Sequence, residues 1–260
     1  MPSLVLAAGL SCWPGGSAEA TGVDAELVLL VDTSIVVSAA DFDALLDGYA
    51  QAFESGTIIN ALQAESPLGI AASLVFFGGP GTEAVGVPWM HITDGTTAGD
   101  FASALRSATR PPPSFATSIS TGLSFATDQF GSETGNPGNG FESPVQAINM
   151  TTETFVFLGD TAAQVSAARD AAFADGVDVI NGITVGTLFE AASTAYYEAN
   201  IVGGELGGVP GGVVNSSGYV DLAAVAATSL ADQFINLMPE PGTPLMALFG
   251  IWVVVLRRRR

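Results

Sequence analysis

Residues 27–38 read LVLLVDTSIVVS. Five apolar residues run straight into Asp32, with Thr33 and Ser34 directly behind. An unbroken apolar run of this length is expected for a strand buried on both faces, as in a parallel sheet covered by helices. A strand that stops on a carboxylate and two hydroxyls delivers those groups to a sheet edge. There they can serve a metal ion, act as a catalytic acid, or cap the next helix. Helical spacing follows at once, through Phe42, Leu45, Leu46, Tyr49 and Phe53, with Ser38 as N-cap and Asp41 three residues on.

The same alternation continues along the chain. GIAASLVFFGG (69–79) predicts a second strand and AVGVPWMHI (84–92) a third, joined through the Gly-Pro-Gly turn at 79–81. So short a link requires an antiparallel hairpin, because a parallel pair needs a crossover. Helices are expected at 97–109 and about 118–130, separated by RPPPS (110–114). Residues 131–152, rich in Gly, Asn, Pro and Ser, read as a loop. TFVFLGD (154–160) reads as a fourth strand that ends, like the first, on an aspartate. A helix, a fifth strand at VDVINGITVG (177–186), a short helix at 191–199, a strand at GGVVN and a final helix at 219–237 complete the pattern. Strand–helix alternation predicts an α/β domain: a mostly parallel central sheet, one antiparallel edge hairpin, and helices on both faces. There is no internal repeat and no linker long enough for a second domain.

Charge narrows the function. The chain carries 26 acidic residues and seven arginines, no lysine, and a formal net charge of −19. Four of the arginines are Arg257 to Arg260, so Arg106, Arg110 and Arg169 are the only cations before that tail. Such a chain repels phosphate backbones, which argues against nucleic acid as a partner. It suits cation binding, and a saline or extracellular setting where self-repulsion is screened.

Both ends look like export signals rather than parts of the fold. Residues 1–20 hold a short apolar core, Leu4 to Leu10, and small residues ending Ala18-Glu19-Ala20, similar to a secretory signal with an A-x-A cleavage site but without a basic start. Cys12, the single cysteine, falls inside it and has no internal disulfide partner. After Met238 come Pro239-Glu240-Pro241, the apolar run Leu245 to Leu256, and the four arginines. That run is shorter than the roughly 20 residues of a comfortable membrane helix, yet its arginine cluster suits a membrane-engaging stop. Triplet, spacing and basic end together resemble the PEP-CTERM sorting signal of Gram-negative bacteria. The resemblance implies that Pro239, Glu240 and Pro241 are read by an exosortase, that the tail at 239–260 engages the inner membrane transiently, and that the mature protein is exported to the cell surface or extracellular matrix.

In an open parallel sheet, sites form at the carboxyl ends of the strands. Asp32 and Asp160 are both expected there, with Ser34 two residues beyond Asp32 and Thr117 just before a helix. Two carboxylates and two hydroxyls make an oxygen-only shell suited to Mg²⁺, Mn²⁺ or Ca²⁺. The order Asp-x-Ser, Thr before a helix, then a strand-terminal Asp resembles the metal-ion-dependent adhesion site (MIDAS) of von Willebrand factor type A (VWA) domains. LVLLVDTS, FFGGPGTEAVGVPW, ATSISTGLSFA, AARDAAFADGVDVINGITV and YYEANIVGG further resemble a bacterial VWA-like family of unknown function, over nearly all of 24–237. The resemblance implies a Rossmann-like fold and a non-enzymatic binding module. Asp32, Ser34, Thr117 and Asp160 would hold Mg²⁺ or Mn²⁺, with Ca²⁺ less suited, for a carboxylate on a protein or extracellular-matrix ligand. In the wider fold such coordination can shift the last helix. One departure stands out: a VWA site reads Asp-x-Ser-x-Ser, and here Ile35 and Val36 follow Ser34, so one hydroxyl ligand is absent. The alternative is a structural surface protein that keeps the fold without a working metal site.

Catalytic readings find less support. VDTS is similar to the Asp-Thr-Ser of aspartic proteases, but those enzymes are all-β and helices are expected here after both aspartates. His91, the one histidine, lies in an apolar strand and reads as structural. No serine sits in a Gly-x-Ser-x-Gly elbow.

Overall fold

The computed structural model describes residues 20–131, 138–153, 159–186 and 190–235. In chain order the elements are β1 (Thr21–Gly22), β2 (Ala25–Asp32), α1 (Ala39–Glu54), α2 (Gly56–Glu65), β3 (Ile70–Phe77), β4 (Ala84–Ile92), α3 (Gly95–Ser107), α4 (Ile119–Thr127), β5 (Phe141–Glu142), β6 (Gln146–Glu153), α5 (Ala162–Ala174), β7 (Val179–Val185), α6 (Glu190–Asn200), β8 (Gly203–Leu206), β9 (Val209–Pro210), β10 (Val213–Ser216) and α7 (Leu222–Ile235).

The main sheet runs β4-β3-β2-β6-β7-β8-β9, with β10 paired in parallel to the later half of β7. β2 pairs in parallel with both β3 and β6, and β4 closes one edge as the antiparallel hairpin partner of β3. The expected mostly parallel sheet with an antiparallel β3–β4 edge is therefore the observed one, and the opposite edge, through β8 and β9, is antiparallel too. Every residue of β2 is buried, and its side chains alternate between two cores. Leu27, Leu29 and Val31 face a core with residues of α1, α2, α3 and α7, whereas Val28 and Leu30 face one with residues of α4, α5 and α6. Two-sided burial is what makes the strand read as a continuous apolar run instead of an alternating one.

Local signals account for several boundaries. The Ser38 hydroxyl accepts the Asp41 N–H and caps α1 as its sequence suggests. Ser55 ends α1 and caps α2, accepting the Ile58 N–H. The predictions did not separate α2 as a helix of its own, nor identify the two-stranded sheet of β1 and β5.

The larger correction concerns the strand beside β2. Residues 131–152 read as a loop, yet Gln146–Glu153 forms β6 at the centre of the sheet. This strand is rich in polar residues, and Asn149 and Thr151 are fully buried on the α1 side. They are tolerated because Tyr49 of α1 reaches across: its hydroxyl donates to Asn149 Oδ1 at 2.7 Å and also meets the Thr151 hydroxyl. Hydrophobicity alone passes over such a strand, because the partner of Asn149 Oδ1 lies 100 positions away, while Asn149 Nδ2 stays buried without a partner. The expected strand at 154–160 lies mostly outside the described residues; of it, Gly159 makes an isolated parallel bridge to Thr117. The signal-like residues 1–19 and the tail at 239–260, with Pro239, Glu240 and Pro241, also lie outside them. Among the described residues no helix is long and apolar enough to cross a membrane.

Candidate functional site

From β2 the chain steps one way to β3 and β4, then returns to the other side for β6 and β7. The order thus reverses around β2, the kind of position where open α/β sheets place their ligands. Asp32 is the last residue of β2 and is fully buried at this point.

The segment after it is pinned from several sides. The backbone N–H and the hydroxyl of Thr33 both donate to the Phe77 carbonyl, at 2.8 and 2.9 Å, tying the turn to the end of β3. The Ser34 N–H donates to Asp32 Oδ1 at 2.7 Å, and the Ile35 N–H to the Ser114 carbonyl at 2.8 Å. Arg110 completes the hold. Its Nη2 donates to the carbonyls of Thr33, Ser34 and Val37 at 3.1, 2.9 and 2.6 Å, and its guanidinium lies 5.4 Å from the centre of the Phe42 ring. The sequence signal for Arg110 was its rarity, as one of three cations outside the C-terminal cluster. Its partners are backbone carbonyls 73 to 77 positions away, which no local pattern reveals.

Two polar atoms in this pinned turn have no hydrogen-bond partner although both are buried: Asp32 Oδ2 and Ser34 Oγ. The Ser34 hydroxyl lies near the same carboxylate without reaching hydrogen-bond geometry with it. Burial pushes the Asp32 carboxyl up to about 6, against the opposing pull of Ser34 and of the Arg110 charge. An ionised carboxylate held this way is costly unless a cation or a proton joins it. Unpartnered hard oxygens beside an electrostatically stressed carboxylate fit a hard divalent cation.

Thr117 and Asp160 are brought to the same edge. Thr117 is buried and bridges to Gly159, and the next residue, Ser118, donates its N–H to the Gly78 carbonyl just beyond β3. The approach is close enough that a Cβ on Gly159 would lie 1.8 Å from the Thr117 carbonyl oxygen, so only glycine fits there. Asp160, in contrast, already has partners. The Ser118 hydroxyl lies 3.0 and 3.1 Å from its two carboxylate oxygens, and the Ser120 N–H donates to Oδ2 at 2.7 Å. Asp160 thus caps the first turn of α4, a favourable position for a carboxylate. Ser118 and Ser120 were not among the candidates; Ser118 is also the N-cap of α4.

The tyrosines of α6 lie close by. Burial raises the Tyr196 hydroxyl, and the Asp160 charge adds to it. Burial likewise raises Tyr197, with a smaller contribution from Asp32. Among the described residues no three His, Cys, Asp or Glu side chains cluster as a metal site. Any cation here would therefore be held by at most two carboxylates, Asp32 and Asp160, together with hydroxyl oxygens. His91, half-buried on the edge strand, bonds through Nε2 to the Leu68 carbonyl at 2.8 Å and packs edge-on against Phe141.

No curated protein sequence matches the chain. Solved structures share its fold. Proximal thread matrix protein 1 (PTMP1) from the mussel byssus superposes with a TM-score of 0.58 at 16% identity, covering 84% of this chain and 49% of that one. A form of the same mussel protein with a zinc-occupied MIDAS motif gives 0.54 at 17% identity, covering 85% and 50%. A von Willebrand factor type A protein from Catenulispora acidiphila gives 0.50 at 12% identity, covering 81% and 42%. The chain spans about half the length of these structures, and identities this low speak for the fold alone. The family model described as "Protein of unknown function (DUF1194)" matches residues 22–210. The chain belongs to the DUF1194 family, and its fold is of the VWA type.

Proposed function

We propose that this protein is a non-enzymatic binding module that engages a protein or extracellular-matrix ligand through a divalent cation at the edge of β2. The observation that carries this reading is the pair of buried, unpartnered oxygens, Asp32 Oδ2 and Ser34 Oγ, at the reversal point of the sheet. The zinc-occupied MIDAS motif of the mussel protein supports a metal role for this fold. Asp32 and Ser34 would hold Mg²⁺ or Mn²⁺, and Ca²⁺ less readily, with Thr117 and Asp160 bordering the site. Bound there, the cation supplies an open coordination position for a ligand carboxylate. The chain's own residues do the rest: Thr33 and Arg110 fix the turn that presents the two oxygens. The terminal segments belong to the same reading. A signal at 1–20 and a PEP-CTERM tail read by an exosortase would carry the domain at 24–237 through the inner membrane to the surface or matrix of a Gram-negative bacterium.

A second reading has its own observation. Asp160 is already engaged by α4, and Val36 presents hydrocarbon where a VWA site has its second serine. A matrix protein that retains the fold and has lost the ion would look like this too.

Calorimetric titration of the full chain with Mg²⁺ and Mn²⁺ separates the two. Saturable one-site binding that disappears in Asp32→Ala and weakens in Ser34→Ala is the expected result. Equal heats in all three proteins would retire the metal and leave the structural reading in place.

A further inference from the structure

The turn that carries Ser34 also carries the next two residues outward. Ile35 and Val36 are 43% and 48% exposed, although Asp32, Thr33, Ser34 and Val37 around them are buried. The Ile35 N–H bonds the Ser114 carbonyl, so this tip lies against the segment whose next residue, Phe115, is 80% exposed. Phe115 is the one aromatic among the exposed large hydrophobic residues in the described part of the chain. Single exposed apolar residues need no explanation, but three on two hydrogen-bonded segments, one of them aromatic, at the rim of a candidate site do.

The tip is also prearranged. Arg110 holds the Thr33, Ser34 and Val37 carbonyls on both sides of Ile35 and Val36, and Thr33 anchors the turn to β3. A surface fixed before binding gives up little conformational entropy on contact, and exposed aromatics are favoured as anchors at interfaces.

Resting on the metal reading above, we propose that the ligand is a protein carboxylate flanked by an apolar side chain, which packs on Ile35, Val36 and Phe115 while the carboxylate reaches the ion. Charge favours a protein segment over a lipid surface. With a net charge of −19 the chain is repelled by anionic membranes, and Arg110, the cation nearest the tip, is occupied with backbone carbonyls. The replacement of a hydroxyl by hydrocarbon at Val36 then exchanges one ligand of the ion for contact area with the partner.

The test uses acetate, butyrate and hexanoate as probes of the full chain loaded with Mn²⁺. Affinity is read from the Mn²⁺-induced relaxation of the probe protons, which reports closeness to the ion. A methylene moved fully out of water is worth about fourfold, so half-burial of the four extra methylenes predicts hexanoate binding about fifteenfold tighter than acetate. In Phe115→Ser and in Ile35→Ser the hexanoate-to-acetate ratio is expected to fall toward one. Mn²⁺ binding with a flat series in the native protein overturns the inference and leaves the metal reading standing. A steep series that survives both substitutions places the tail elsewhere and also overturns it. Failure to bind Mn²⁺ at all removes both. Binding to zwitterionic vesicles that is lost in Phe115→Ser would assign the tip to lipid instead.

Discussion

Replacing Asp32 with asparagine should reverse its rank against the native protein when metal is added. Asparagine keeps the oxygen that accepts the Ser34 N–H at 2.7 Å, and it removes the charge from a fully buried position. The sign follows from the raised carboxyl. Its value moves from 3.8 in the free group to about 6 in the fold, so stability from this residue is full below pH 4, falls between pH 4 and 6, and stays low above. At pH 7.5 that deficit is about 3 kcal/mol, at about 1.4 kcal/mol per unit. An unpartnered amide N–H in place of Oδ2 returns about 1–2 kcal/mol of it. The metal-free variant should therefore gain about 1–2 kcal/mol, or roughly 2–8 °C in Tm for a domain of about 200 residues. Mn²⁺ at a hundred times its Kd adds about 2.7 kcal/mol to the native protein and nothing to the variant. Thermal unfolding followed by circular dichroism, at pH 7.5 in EDTA and then in Mn²⁺, reads both numbers. An Asp32→Asn protein that melts below the native one in EDTA would show that Oδ2 has a partner. An unchanged Mn²⁺ response would show that the ion, if it binds, binds elsewhere.

Three further outcomes follow from other parts of the fold. Tyr49→Phe leaves buried Asn149 and Thr151 without their common hydroxyl partner and should cost about 1–3 kcal/mol in urea denaturation; a cost near zero would mean that the two satisfy each other. Gly122→Ala would place a Cβ 2.8 Å from Phe77 Cγ, so a packing penalty of about 1–3 kcal/mol outweighs a gain of about 1 kcal/mol in helix propensity, and a more stable variant would refute the rigidity assigned to this contact. Arg106 bonds Asp47 and Glu54 at 2.7–2.8 Å and holds both carboxyls below their ordinary values. That contribution is present above about pH 4.5 and lost on acidification. These groups are substantially exposed, so it is under about 1 kcal/mol in all, and Arg106→Ala should flatten the acid limb of the stability curve only at low salt.

Much of this protein is written in short-range pattern. The apolar run of β2, the helical spacing of α1 under its Ser38 cap, and the Gly-Pro-Gly turn of the β3–β4 hairpin each depend on residues within a few positions of one another. Strand–helix alternation follows from them, and with it the placement of Asp32 and Ser34 at a sheet edge. What only the tertiary structure decided involves partners far apart in the chain. In β6, a central strand, the buried Asn149 Oδ1 and Thr151 hydroxyl are met by Tyr49 from a different element, so its composition looks like that of a loop. Asp160 ends among the hydroxyl and N–H groups of α4, a commitment that the strand-then-aspartate pattern does not contain. Arg110 lies in a proline-rich break and acts on carbonyls more than seventy positions earlier. Periodicity records which face of an element is dry. Whether a buried polar group finds its partner depends on the packing of distant elements, and there the orphaned oxygens of Asp32 and Ser34 became visible.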